Sequence, residues 1–356
     1  MIVPHFNRIK LAWAFKRAIE GSGDELKSLA VREWEIFPSQ RRNSRPAISL
    51  DGWQKKLVAL SPWRNWAAEE DLINGATVTH SATIGYALEN VHISGSTLYC
   101  GATRSERGFG RDGWVVERKA HIRSMDCAHL VGDWTANHFF GNFMREHFTL
   151  SLLPEAGSPQ LMLPTKPYEH ADGYRRLLRT PEPETVEIGL IKTLTMYSDY
   201  GQTDHKRQRY ETLRSRLRGN ICPGLGRDRK MVYLKRGSTG ERRILENEEV
   251  LEQLLRDQGF DIVIPSDLSA DAIVDRVLDA QIVVSVEGSH ITHAIYTMAD
   301  DGLLVVLQPP DRFAMGHKEY CDLFDITFAF VVGSPTAGGF VVEFDDINRI
   351  IEKAGF

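Results

Sequence analysis

The sequence predicts an α/β protein with at least one parallel sheet. Three observations carry this. The last third of the chain alternates short apolar runs with amphipathic stretches. Its apolar runs, such as Ile282 to Val286 and Leu303 to Leu307, are continuous rather than alternating, as in strands covered on both faces. At 356 residues the chain exceeds one ordinary core, so two domains are expected.

The bulk properties narrow the class. A composition 42% hydrophobic and 26% charged is that of a globular protein rather than a disordered or membrane-embedded one. No apolar run is long enough to span a bilayer and no secretory leader is recognisable, so the cytoplasm is the expected compartment. Cys100, Cys127, Cys222 and Cys321 are scattered without a C-x-x-C, which favours reduced thiols over disulfides or zinc. The net charge of −5 is unevenly placed, because residues 205–243 are dense in Lys and Arg. The first half of that run reads as a solvated helix and linker, and the sharper reading is a positive wall facing an anion, with Arg236, Arg242 and Arg243 its best candidates. Nucleic acid is not expected, since no binding motif accompanies the charge and the chain is acidic overall.

The elements follow in order. Ile9, Trp13, Phe15 and Ile19 mark an amphipathic helix that docks on the core or on another subunit of a homo-oligomer; peripheral attachment to an anionic membrane is its second reading. Gln40 to Pro46 reads as loop. Ala76 to Tyr99 has the composition of short strands, and Trp114 to Arg118 is another strand candidate. Phe139 to Leu153 carries apolar residues at helical spacing and stops at Pro154, and Gln160 to Leu163 is a strand in a proline-rich region. Strands are expected at Met231, Phe260, Ile282 and Leu303. Between the first three lie helices capped by Asn247 and Ser269, and a further helix opens after Glu287-Gly288-Ser289-His290. A Rossmann-like domain is placed at about 228–333, and Phe344 to Phe356 is a final amphipathic helix.

Two loops carry the chemistry. After the strand at Met231, the loop Arg236-Gly237-Ser238-Thr-Gly240-Glu-Arg242-Arg243 brings guanidinium groups and free N–H groups to a strand end, which suits a diphosphate. After the strand at Ile282, Gly288 allows close backbone approach, Ser289 can donate to a phosphate, and Glu287 can accept from ribose hydroxyls. His290 and His293 lie three apart, a weak metal signal that with His317 leaves a metal-dependent hydrolase as a distant alternative. Trp53, Trp63, Trp66, Trp114 and Trp134 could form a platform that stacks on sugar rings, though core packing is their ordinary use.

This pairing resembles glycosyltransferase family 61. The resemblance rests on Arg236, then Arg242-Arg243-Ile244-Leu245-Glu246-Asn247-Glu248, Gly259-Phe260, and Val284-Ser-Val-Glu287-Gly288-Ser289-His290. An upstream segment, Asn137 to Glu146, is similar to the family's aromatic-Gly-His-aromatic helix start, with Asn142 where the family His is expected. The resemblance implies a GT-B-like α/β fold with two Rossmann-like lobes and a central cleft. Residues 1–222 would form the acceptor-binding lobe and residues 223–356 the nucleotide-sugar lobe.

It also implies inverting transfer from a nucleotide sugar to a cell-surface polysaccharide or lipopolysaccharide, in the cytoplasm or at the inner face of the membrane. No Asp-x-Asp occurs in the chain, so neither metal nor cofactor is expected, the nucleotide sugar being a co-substrate. The donor would be held by Arg236, Arg242, Arg243, Glu287, Gly288, Ser289 and His290. A general base would come from Asp133, His138 or Glu146. The departure at Asn142 leaves a second class open, a nucleotide-sugar-binding scaffold without catalysis.

Overall fold

The computed structural model describes residues 5–6, 8–20, 25–110, 115–116, 122–219, 230–237 and 242–356. The chain divides into two compact units, Met1–Ser39 with Ser81–Gly201, and Gln40–His80 with Gln202–Phe356. This differs from the expected boundary at 222/223 in two ways. Residues 40–80 leave the N-terminal unit, and so does the helix Asp204–Arg218.

The N-terminal unit holds an eight-stranded mixed sheet among the described residues. Its centre is the antiparallel pair Thr83–Ser94 and Ile188–Ser198. Thr97–Cys100 and Thr103–Glu106 continue one side as a meander. On the other side Arg123–Leu130 runs parallel to Ile188–Ser198, followed in parallel by Gln160–Met162 and Glu184–Thr185. A Rossmann-like description therefore fits only that side. Leu88, Val91, Ile93, Ile191 and Leu194 of the long strands are buried in one core. Of the strand candidate at Trp114, only Val115–Val116 falls within the described residues.

The C-terminal unit holds a sheet in which all pairings are parallel. Its order is Asp261–Val263, Met231–Leu234, Ile282–Val286, Leu303–Gln308, Thr327–Val332 and Ile48–Ser49. Numbered along the last third, the first five strands stand in the order 2-1-3-4-5, a doubly wound arrangement with its switch point between Met231–Leu234 and Ile282–Val286. The continuous apolar runs are explained: Ile282–Val286 and Leu303–Gln308 are buried at every position.

Residues 40–80 belong here for physical reasons. Gln40–Asn43, expected as loop, pairs antiparallel with Thr77–His80, and Ile48–Ser49 covers the sheet edge beside Thr327–Val332. Trp53 stacks on Phe313 at 5.4 Å and meets Phe330 edge-on at 5.1 Å. Burying such an indole is worth about 2–3 kcal/mol. Glu69, fully buried, pairs with Arg64 and accepts the Met315 N–H at 2.6 Å.

The first half of the basic run is not simply a solvated helix, since three of its cations are buried. Thr203 caps the helix Asp204–Arg218, and Tyr210, Leu213 and Leu217 are buried along it together with Lys206, Arg209 and Arg214. Arg214 donates to the Met298 carbonyl at 2.7 Å, pairs with Asp300 at 2.5 Å and lies over the Phe324 ring. Burial lowers its pKa to about 10. A guanidinium can be buried this way because partners satisfy its charge and its planar face packs on an aromatic.

Candidate functional sites

Each unit carries one candidate site, and each is built at the carboxyl ends of parallel strands. In the C-terminal unit both loops singled out from sequence leave the two strands that flank the switch point, where doubly wound sheets bind ligands.

Ser285 ties the two strands together there. Its hydroxyl donates to the Leu234 carbonyl at 2.7 Å, and it also lies 2.7 Å from His290 Nε2. A hydroxyl has one proton, so with that proton on Leu234 the imidazole must donate from Nε2. His290 Nδ1 is then a bare acceptor, and it is buried without a partner. Burial first, then the charges of Arg236, His317 and Arg243, hold the His290 pKa well below its ordinary value. A neutral ring with an open acceptor suits a ligand hydroxyl rather than a phosphate oxygen.

The cations converge on Gly288. A Cβ at this position would run into the Arg236 guanidinium, so glycine permits the close approach. Arg243 Nε lies 2.9 Å from Glu287 Oε2, with both side chains largely buried. His317, from the loop after Leu303–Gln308, places Nε2 3.1 Å from the Gly288 carbonyl and 4.0 Å from Glu287 Oε1. The site thus joins Arg236, Arg243, Glu287, Gly288, His290 and His317. Sequence had offered His317 only within a metal reading, because nothing in its local pattern marks it.

Several expectations change. Glu287 already pairs through Oε2 with Arg243, a partner its local sequence did not indicate. Arg242 is exposed and points to the Gly338 carbonyl at 3.4 Å, apart from the convergent pair. The apolar-striped helix after Ser289 is short, a 3₁₀ turn Ser289–Ile291 and a single α-turn Thr292–Ile295, so little helix dipole is available. The Ser289 carbonyl accepts from Thr292 Oγ1. Asn247 does not cap its helix; it exchanges two hydrogen bonds with the Val342 backbone, at 2.8 and 3.2 Å. Ser269 does cap, accepting from Ala272 N. Ser238 and Gly240 lie outside the described residues. Among the described residues no group of three or more His, Cys, Asp or Glu is arranged to hold a metal ion.

In the N-terminal unit Arg123–Leu130 ends at Val131-Gly132-Asp133. Asp133 Oδ1 caps the helix Trp134–His138, accepting from Ala136 N at 2.7 Å and Thr135 Oγ1 at 2.8 Å. His138 donates from Nδ1 to the Trp134 carbonyl at 2.7 Å and stacks on the Trp134 ring at 4.3 Å, which makes Nε2 its acceptor. The expected helix after Phe139 is present but not regular: Phe143–His147 is a π-helical turn, a widening often found at functional sites.

Glu146, buried on that turn, and Asp133 both act on Tyr200, whose phenol is shifted up by burial first and then by Asp133. Arg107 opposes that shift. Asp133, Glu146, Arg107 and Tyr200 therefore share one neighbourhood. Asn142 is half-buried and accepts from Arg145 at 3.4 Å.

A doubly wound sheet with two arginines at its switch point has the chemistry that suits a phosphorylated, nucleotide-like ligand. Residues 137–306 match the family model described as Glycosyltransferase 61, so the chain carries a domain of that family and is a glycosyltransferase. No curated protein matches it.

Proposed function

We propose that the chain is an inverting, metal-independent glycosyltransferase of the GT-B type. It would move a sugar from a nucleotide sugar to a cell-surface polysaccharide or lipopolysaccharide acceptor in the cytoplasm. The observation that carries this is the convergence of Arg236, Arg243 and the bare His290 Nδ1 at the switch point. The guanidinium groups meet the charge that develops on the leaving diphosphate, so that charge needs no metal. His290 accepts a donor hydroxyl, and Glu287 orients Arg243.

The base takes the acceptor proton as the acceptor oxygen attacks the anomeric carbon from the side opposite the diphosphate. Asp133 is assigned this role through Oδ2, which has no hydrogen-bond partner among the described residues; His138 Nε2 is the second candidate and Glu146 the third. Donor hydrolysis and transfer are expected to drop at least ~100-fold in Arg236→Ala/Arg243→Ala, as on removing oxyanion donors. Near wild-type rates for that variant sink the assignment. Thermal-shift screening against nucleotide sugars identifies the donor.

Asn142 supports one second reading, a nucleotide-sugar-binding scaffold. Donor binding by calorimetry with no turnover on any acceptor pool would favour it. The metal-dependent hydrolase draws no support from His290, His293 and His317, and chelators are expected to leave activity unchanged.

Peripheral membrane contact draws support from the N-terminal helix Arg8–Glu20. Trp13 anchors it, donating to the Ala102 carbonyl at 2.9 Å, while Leu11, Phe15 and Ile19 form an exposed stripe beside Lys16. Sedimentation with anionic but not neutral vesicles tests it.

A further inference from the structure

The N-terminal unit contains a second feature that the donor site does not use. A cleft of about 380 Å³ opens where the strands Gln160–Met162 and Glu184–Thr185 end, within the usual ~300–1,000 Å³ of small-molecule sites. Phe143 of the π-helical turn lines it, three residues before Glu146. Phe143 and Tyr168 form an aromatic corner with ring centroids 5.1 Å apart. The Tyr168 hydroxyl donates to the Ala136 carbonyl at 3.1 Å, so the ring, not the phenol, is what it offers.

The rest of the lining is strongly one-signed. Glu169, Asp172 and Glu182 face a single cation, Arg175. Arg175 is already paired with Asp172 at 2.7 Å, and its Nε is buried without a partner. Glu169 and Glu182 are exposed and have no ion-pair partner among the described residues. The cleft therefore presents two uncompensated carboxylates above an apolar floor.

We propose that this cleft is the subsite for the acceptor's sugar and that it takes an uncharged or amino-bearing sugar while rejecting uronic acids and phosphorylated sugars. The proposal rests on the transferase reading and names the substrate class of its acceptor side. Carboxylates accept from sugar hydroxyls and attract an ammonium, and an apolar sugar face packs on the half-buried Tyr168 ring, which the buried Phe143 backs. An anionic sugar instead meets like charge while losing its own hydration, which is how a site discriminates by repulsion.

Binding tests this without turnover. Calorimetry at about pH 6 compares three tetrasaccharides: the glucosamine tetramer, cellotetraose and the galacturonate tetramer. The glucosamine tetramer is expected to bind about tenfold tighter than cellotetraose, and the galacturonate tetramer not to bind. In Glu169→Gln/Glu182→Gln, whose exposed positions spare the core, the glucosamine tetramer should fall to about the affinity of cellotetraose. Galacturonate binding equal to cellotetraose, no binding of any probe at about 10 mM, or an unchanged Gln/Gln variant each overturns the proposal. Nucleotide-sugar binding to the same samples separates the two readings. If it persists, only the cleft assignment fails; if it is absent while the tetrasaccharides behave as expected, the donor assignment fails instead.

Discussion

Gly288 shows what a single residue contributes at the switch point. The Arg236 guanidinium occupies the space that a Cβ would need, so Gly288→Ala must displace the arginine. The expected outcome is donor affinity weakened about tenfold with little change in melting temperature, read by calorimetry and thermal denaturation. His147 offers a pH signature. It is fully buried, donates from Nδ1 to the Val131 carbonyl at 2.5 Å, and burial lowers its pKa to about 4.

In the unfolded chain a histidine titrates near 6.5. Between those values the unfolded state binds more protons, so stability is full above about pH 6.5 and is lost as pH falls toward 4, by up to ~3 kcal/mol. His147→Gln, which can keep a donor to Val131, should flatten that slope in melts taken across this range. An unchanged slope would show that other groups produce it.

At the scale of elements, Asp133 combines two roles that substitution can separate. Its Oδ1 caps the helix Trp134–His138, a contribution worth about 1 kcal/mol. Asn caps nearly as well but cannot take a proton. Asp133→Asn should therefore abolish transfer with near wild-type stability, whereas Asp133→Ala should lose both. Transfer undiminished in Asp133→Asn moves the base to His138, for which His138→Gln is the corresponding test.

The helix Asp204–Arg218 teaches a different lesson. Its Lys and Arg residues read as solvated because sequence shows charge but not partners. The Met298 carbonyl, Asp300 and the Phe324 ring bury Arg214, and all three lie far along the chain.

For the molecule as a whole, the composition of the C-terminal unit is the testable point. Residues 202–356 on their own would leave the edge strand Thr327–Val332 uncovered and remove Trp53 from Phe313 and Phe330. That fragment is expected to aggregate or melt without cooperativity, while the same fragment linked to residues 40–80 should melt in one transition. Cooperative melting of 202–356 alone would show that the inserted segment is dispensable.

The parallel sheet, its strand order along the chain and the two loops at its switch point were legible because they are local: continuous apolar runs, Ser269 as a cap, and Arg-rich and Gly-Ser turns at strand ends. Membership of residues 137–306 in glycosyltransferase family 61 was legible for the same reason. What only the tertiary structure decided depends on residues distant in sequence. Those outcomes are Glu287 on Arg243, His317 on Gly288, Asn247 on Val342, and residues 40–80 on the C-terminal sheet. A local pattern specifies an element and which way its face points. Which partner meets that face is set by packing across the fold, where one carboxylate or one imidazole satisfies a buried group that no neighbour in sequence can reach.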